Sequence, residues 1–175
     1  MTEITGVRKN IQIEEVQTEA GISEAVAQKI GSSMNFINNF QNKGFDFKFL
    51  NKFAPISGGE DGVRGLIFNA EIIGLSGYIR QSGSSGSTVI DIHSLTGATD
   101  NGSILSTPLT LTSAVSNGLV FFTDLLTPNS SGGTGVTLPV FSTVNLNAGQ
   151  GLRVDLVSNA IDALDLSLTI HYRPR

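Results

Sequence analysis

The side chains best placed to do chemistry are His93 and His171 and the aspartates Asp91, Asp100, Asp124, Asp155, Asp162 and Asp165. Asp91 and His93 stand two apart in a segment of alternating polarity, so on a strand they share one face and could touch a common ligand. The plainer reading of the same alternation is an exposed strand carrying ordinary polar residues. Around a three-fold axis, copies of His93 or of His171 would form a ring able to bind an ion. A metal site of the usual kind needs more donors, and the chain has no HExxH, no His-x-His and no cysteine. No GxSxG elbow occurs, since Gly74-Leu75-Ser76-Gly77 and Gly83-Ser84-Ser85-Gly86 miss the spacing. Gly133-Thr134-Gly135 and Gly149-Gln150-Gly151 lack the third glycine and the following helix of a phosphate loop, and read as turns. The aspartates formally offer a carboxylate pair for glycoside hydrolysis. Asp162 and Asp165, however, fall at a turn and a strand start, where Asp is favoured for backbone reasons. The absence of Trp, with only Tyr78 and Tyr172 as tyrosines, also weakens a sugar site. The residues therefore predict no catalytic centre, no cofactor, no bound metal and no enzyme.

The elements that carry these residues are unevenly composed. Charged residues make up only 15% of the 175, against 39% hydrophobic, which predicts a folded chain. A net charge of −4 argues against nucleic acid as a partner. No run nears the roughly 18 apolar residues of a membrane span, and Met1 to Asn10 has no apolar signal core. A soluble chain without a membrane partner is the expectation. All five lysines lie in the first 52 residues, and from Gln81 to Leu152 only Asp91, Asp100 and Asp124 are charged. Three parts follow: an arm (1–20), a helix (21–44) and a β domain (45–175).

Ile22, Val26, Ile30, Met34, Ile37 and Phe40 recur at steps of four and three, one stripe of a helix. Ser23 suits its start, and Gly44 after Lys43 suits its stop. Spacing alone leaves two readings open, a helix lying on its own domain or a short parallel coiled coil between copies.

The remainder alternates as strands do. Leu164, Leu166, Leu168, Ile170 and Tyr172 interleave with Asp165, Ser167, Thr169, His171 and Arg173. Leu152–Leu156 and Val89–Ser94 behave likewise, and further strands are expected at Phe45–Phe53, Leu66–Ile73, Ile104–Leu111, Leu119–Leu126 and Leu138–Leu146. Ser/Gly/Asn clusters at 57–59, 82–86, 129–133 and 147–151 supply turns. About eight strands with no helical pattern between them predict a mainly β fold, an antiparallel jelly-roll sandwich. Leu119-Val120-Phe121-Phe122 and Leu66-Ile67-Phe68 are apolar on both faces and need cover on both sides. A second subunit is the simplest second cover, which favours the coiled-coil reading of the helix.

Several stretches resemble jelly-roll modules in structural proteins of tailed bacteriophages: Ser87-Thr88-Val89-Ile90-Asp91-Ile92 after a Gly/Ser turn, then Ile104-Leu105-Ser106-Thr107, then Leu146 to Asp155, and the closing Leu166 to Arg173. Ile22 to Ile30, leading to Asn35-Phe36-Ile37, looks like the helix that precedes such modules. The resemblance implies a homotrimer that decorates a head, caps a vertex or tips a fibre, on a virion assembled in the host cytoplasm, with no catalytic residues. Ile22, Val26, Ile30, Met34, Ile37 and Phe40, together with Phe121 and Phe122, are expected at the trimer interface, with the phenylalanines from Phe36 to Phe53 at the junction. Ile4, Val7, Ile11, Ile13 and Val16 of the arm are expected to dock on the major capsid protein or another virion protein, by adding a strand to its sheet. The alternative is a receptor- or carbohydrate-binding module of a tail fibre, recognising a host surface glycan through loops 82–87, 97–103 and 128–135. A small glycosidase or cupin-like enzyme is the third reading.

Overall fold

The computed structural model describes residues 43–57, 62–127 and 129–175. Among them there are only strands, turns and loops. The strands are β1 (Lys43–Lys52), β2 (Ile56–Ser57), β3 (Arg64–Gly65), β4 (Ala70–Gln81), β5 (Ser87–Thr96), β6 (Thr99–Ser103), β7 (Leu105–Thr107), β8 (Leu109–Thr112), β9 (Leu119–Asp124), β10 (Asn129–Ser131), β11 (Val136–Thr137), β12 (Val140–Phe141), β13 (Asn145–Leu146), β14 (Gln150–Ser158) and β15 (Leu164–Pro174). The first sheet runs β1-β15-β4-β9-β10, with β13 also paired to β4. The second runs β11-β8-β5-β14-β2, with β3 on β14 and β6 on β5, and β12 pairs β7 separately. Every pairing among the described residues is antiparallel.

One buried cluster draws on both sheets. Leu166, Leu168 and Ile170 of β15, Phe47 and Phe49 of β1, Ile90 and Ile92 of β5, and Val154 and Leu156 of β14 all belong to it. Between and beside them stand Asp46 and Lys48 on β1, Asp91 and His93 on β5, Arg153 and Asp155 on β14, and Ser167 and Thr169 on β15, as the period of two requires. The phenylalanines Phe47, Phe49 and Phe53 are therefore core residues of their own domain, not residues of a junction between subunits.

The long central strand β4 was not expected over Gly74–Gln81, and its glycines explain why. A Cβ on Gly77 would lie 2.4 Å from the Phe121 ring and 2.8 Å from Leu168, so the ring occupies the space a side chain would take. A Cβ on Gly74 would meet the Thr123 carbonyl oxygen at 2.4 Å. Residues that resemble a turn in sequence here permit close packing of neighbouring strands.

Other boundaries moved for local reasons. Leu66–Phe68 is loop, held by Leu66 N–H to Gln150 O (2.8 Å) and Gly149 N–H to Leu66 O (2.8 Å). Ile104–Leu111 is broken at Pro108, which has no N–H to give to a ladder. Asn129–Ser131, expected as part of a turn, forms β10 against β9. Strand β1 starts at Lys43, so Gly44 pairs with His171 within a sheet and is not a helix stop. Asn51, Asp162 and Asp165 have φ of 56°, 62° and 48°, a conformation that short polar side chains tolerate by bonding locally. Asp165 Oδ1 duly accepts from Asn51 N–H at 2.6 Å. The arm residues and the stripe Ile22–Phe40 lie outside the described residues.

The Phe121–Gly77 packing has a measurable consequence. Phe121→Ala should cost about 3–5 kcal/mol by opening a cavity, and Gly77→Ala about 1–3 kcal/mol by overpacking. In Phe121→Leu the Gly77→Ala cost should shrink, because the ring that blocks the methyl is gone. Urea denaturation of the four proteins checks this, and additive costs would refute the contact.

Candidate functional site

Asp91 and His93 do share a face, and pairing brings four further polar residues to them. The register of β5 with β14 sets Asp91 directly opposite Asp155 and His93 opposite Arg153. The register of β5 with β6 sets His93 opposite Ser103 and brings Asp100 alongside. Two carboxylates facing each other across a strand pair repel unless cations stand between them. Arg153 answers this with a fork: Nε to Asp155 Oδ1 at 2.8 Å, and Nη2 to Asp155 Oδ2 and Asp100 Oδ2, both at 2.7 Å. His93 Nδ1 lies 2.9 Å from both oxygens of Asp100, while Nε2 lies 3.3 Å from Asp91 and 3.8 Å from Asp155. Ser103 Oγ donates to Asp91 Oδ1 at 2.5 Å.

The electrostatics follow this geometry. Asp100 is held down to about 2, first by its hydrogen bond with His93, then by the Gly102 N–H and by Arg153. The Arg153 guanidinium is held further into its charged form, chiefly by Asp155. Asp155 is buried, Asp91, His93 and Arg153 are half-buried, and Asp100 and Ser103 are exposed. The network joins β14 to the β5–β6 hairpin and is further tied to the backbone, Asp91 accepting from Ile92 N–H, Asp100 from Gly102 N–H and Ser103 Oγ from Leu105 N–H. Among the described residues, no three His, Asp or Glu side chains are placed to hold a metal ion.

His171 sits on the first sheet, away from this cluster in the strand order. Its Nε2 is 2.8 Å from Ser76 Oγ. Asp124 occupies the same row across Gly74. Its oxygens accept from Leu126 N–H (2.8 Å), Thr127 N–H (3.3 Å) and Thr127 Oγ1 (2.6 Å), which lowers its pKa, Thr127 being the largest cause. Ser76 and His171 thus meet as a pair, and Asp124 is engaged elsewhere. Asp162 is taken by Lys52, whose ammonium lowers its pKa, and Asp165 by Arg80 at 2.7 Å.

Of the expected interface pair on β9, Phe121 is fully buried in its own domain. Phe122 lies on the opposite side of the strand, half-buried, and Val120 joins it there at 63% exposure. Tyr78, directly opposite Val120 on β4, is 39% exposed. Apolar residues on both faces of β9 were legible in sequence, but which face the domain would claim was not.

Asp100 gives the cluster a titration that can be measured. Its folded pKa lies below its unfolded one, so its contribution is present above the usual carboxylate range and is lost as pH falls through about 2. Carboxyl-carbon NMR should show Asp100 titrating near 2. In His93→Gln the value should rise toward the ordinary carboxylate range, and an unchanged value would show that His93 does not hold it.

No protein-family profile and no curated protein matches the chain. Among solved structures, a chain from the capsid of Ralstonia phage GP4 is similar at 15% identity, over 77% of this chain and 85% of that one, with a TM-score of 0.44.

Proposed function

We propose that this chain is a non-enzymatic structural protein of a bacteriophage virion, a homotrimer of the head-decoration, spike or fibre type. In this reading the two sheets form a jelly-roll sandwich, residues 21–42 form the trimer stalk ahead of β1, and the arm (1–20) docks on the major capsid protein or another virion protein. One observation carries the assembly role: a single chain leaves apolar side chains uncovered on regular, hydrogen-bonded strands. Val120 and Tyr78 are cross-strand partners, and both are exposed. Apolar surface held on a rigid sheet is surface for another protein, because water alone leaves its burial energy, about 25 cal/mol per Å², unrealised. The segments that resemble phage modules support it too, since Ser87–Ile92 falls on β5, Gln150–Asp155 on β14 and Leu166–Arg173 on β15.

The work is mechanical, to lock particle subunits together or to present the Ser/Gly/Asn loops outward. Deleting residues 1–20 should leave a soluble protein of three copies by mass photometry that no longer joins particles when supplied during assembly. Incorporation of the truncated protein would remove the arm from the proposal, and a full-length monomer would remove the trimer.

A further inference from the structure

The outer side of the first sheet carries its charges in an arrangement that matches itself. Four rows cross it. Asp46, Thr169, Ser76 and Phe122 form the middle row; Lys48, Ser167, Tyr78 and Val120 lie on one side of it, and Gly44, His171, Gly74 and Asp124 on the other. Beyond these, each end of the β15–β4 pair holds one ion pair. At one end Asp165 is on β15 and Arg80 on β4 (2.7 Å); at the other Arg173 is on β15 and Glu71 on β4 (2.7 Å). The two pairs have opposite polarity.

We infer that this face docks on the same face of a second copy about a two-fold axis that crosses the strands at the Ser76–Thr169 row. Such an axis keeps each strand over its own counterpart and exchanges the two ends. Arg80 then meets the second copy's Glu71, and Asp165 meets the second copy's Arg173, so each end completes a ring of four alternating charges. Tyr78 meets Gly74 of the second copy, a ring set against a position with no side chain. Val120 meets Asp124, and Phe122 meets its own counterpart. The long arginine side chains span the offset that sheet twist introduces at the ends. Asp46 also meets its own counterpart, but at the exposed β1 border, where screening is strongest and Lys48 is one row away.

The cost of burying this face is low for the same reasons. Its polar groups are largely engaged within the chain: Ser76 with His171, Thr169 with Asp46 (2.6 Å), Arg80 with Asp165, Arg173 with Glu71, and Asp124 with Thr127. Covering them leaves few donors or acceptors stranded. The contact is isologous and takes Val120, Tyr78 and Phe122 for itself, so the three-fold contact proposed above would rest on the stalk residues alone; together they would join trimer to trimer.

Sedimentation velocity of the full chain over a concentration series tests it. The wild type should show species that double, monomer to dimer or trimer to hexamer. Glu71→Arg combined with Arg173→Glu keeps the internal ion pair and reverses its polarity. It should weaken doubling by roughly tenfold or more, since like charges then face each other at both ends. Val120→Asp, facing Asp124, should weaken it as well. Val120→Lys should preserve or tighten it, an outcome that a merely greasy patch would not give. Val157→Asp, on an exposed residue of β14, should change nothing. A wild type that never doubles, doubling that survives the polarity reversal, or equal loss in Val120→Asp and Val120→Lys would each overturn the inference. Loss of the three-fold state alone, with doubling intact, would overturn only the trimer.

Discussion

The outer surface of the first sheet follows from where one phenylalanine goes. Phe121 enters the core because Gly77 leaves its ring room, and Leu168 packs beside that position. Side chains alternate along a strand, so with Phe121 inside, Val120 and Phe122 are outside. A slip of one residue in β9 would exchange these roles and set Phe121 in water. Pairing of β9 with β4 over Leu119–Asp124 resists that slip along its length. The apolar residues available to a partner are therefore set by the monomer's own packing.

The two sheets use their outer sides differently. On the second, charge is concentrated: three carboxylates, an arginine and a histidine close a network around the cross-strand pair Asp91 and Asp155. Half-buried and charge-assisted, such bonds are stronger than neutral ones and tie the β5–β6 hairpin to β14. On the first, the central β15–β4 pair carries its ion pairs at the two ends, with Ser167, Thr169, Ser76, Tyr78 and the Ser76-bonded His171 between them, while Asp46 and Lys48 on β1 and Asp124 on β9 stand to the sides. One side has its bonding partners within the chain and also carries charge that favours water. The other has its polar atoms engaged but keeps an uncharged centre, the property that makes a surface inexpensive to cover by protein.

Period-two alternation made β1, β5, β14 and β15 legible from sequence, because each has one apolar and one polar face. Strand β4 was hidden by Gly74, Ser76 and Gly77, residues that serve turns equally well, and their purpose appears only once Phe121 and Thr123 are in place. The polar cluster was half legible. Asp91 and His93 are neighbours on one strand, whereas Arg153 and Asp155 reach them across 60 or more residues, through a β5–β14 register that no local pattern encodes. The same holds for the ion pairs of the first sheet: Glu71 and Arg173 are 102 residues apart.

The polarity of those ion pairs is the part of the design that folding does not explain. At one end the choice is constrained, because Asp165 has a positive φ and accepts from Asn51 N–H, tasks an arginine could not perform. At the other end neither constraint applies. Arg173 and Glu71 are extended strand residues outside the core, half-buried at the sheet's end, and the attraction between them is the same whichever strand carries the cation. A monomer is indifferent to that choice. A two-fold contact is not, because with Asp165 fixed on β15, only a cation at position 173 of the same strand meets it with the opposite sign. Self-association thus supplies a physical reason for an arrangement that the stability of one chain leaves open.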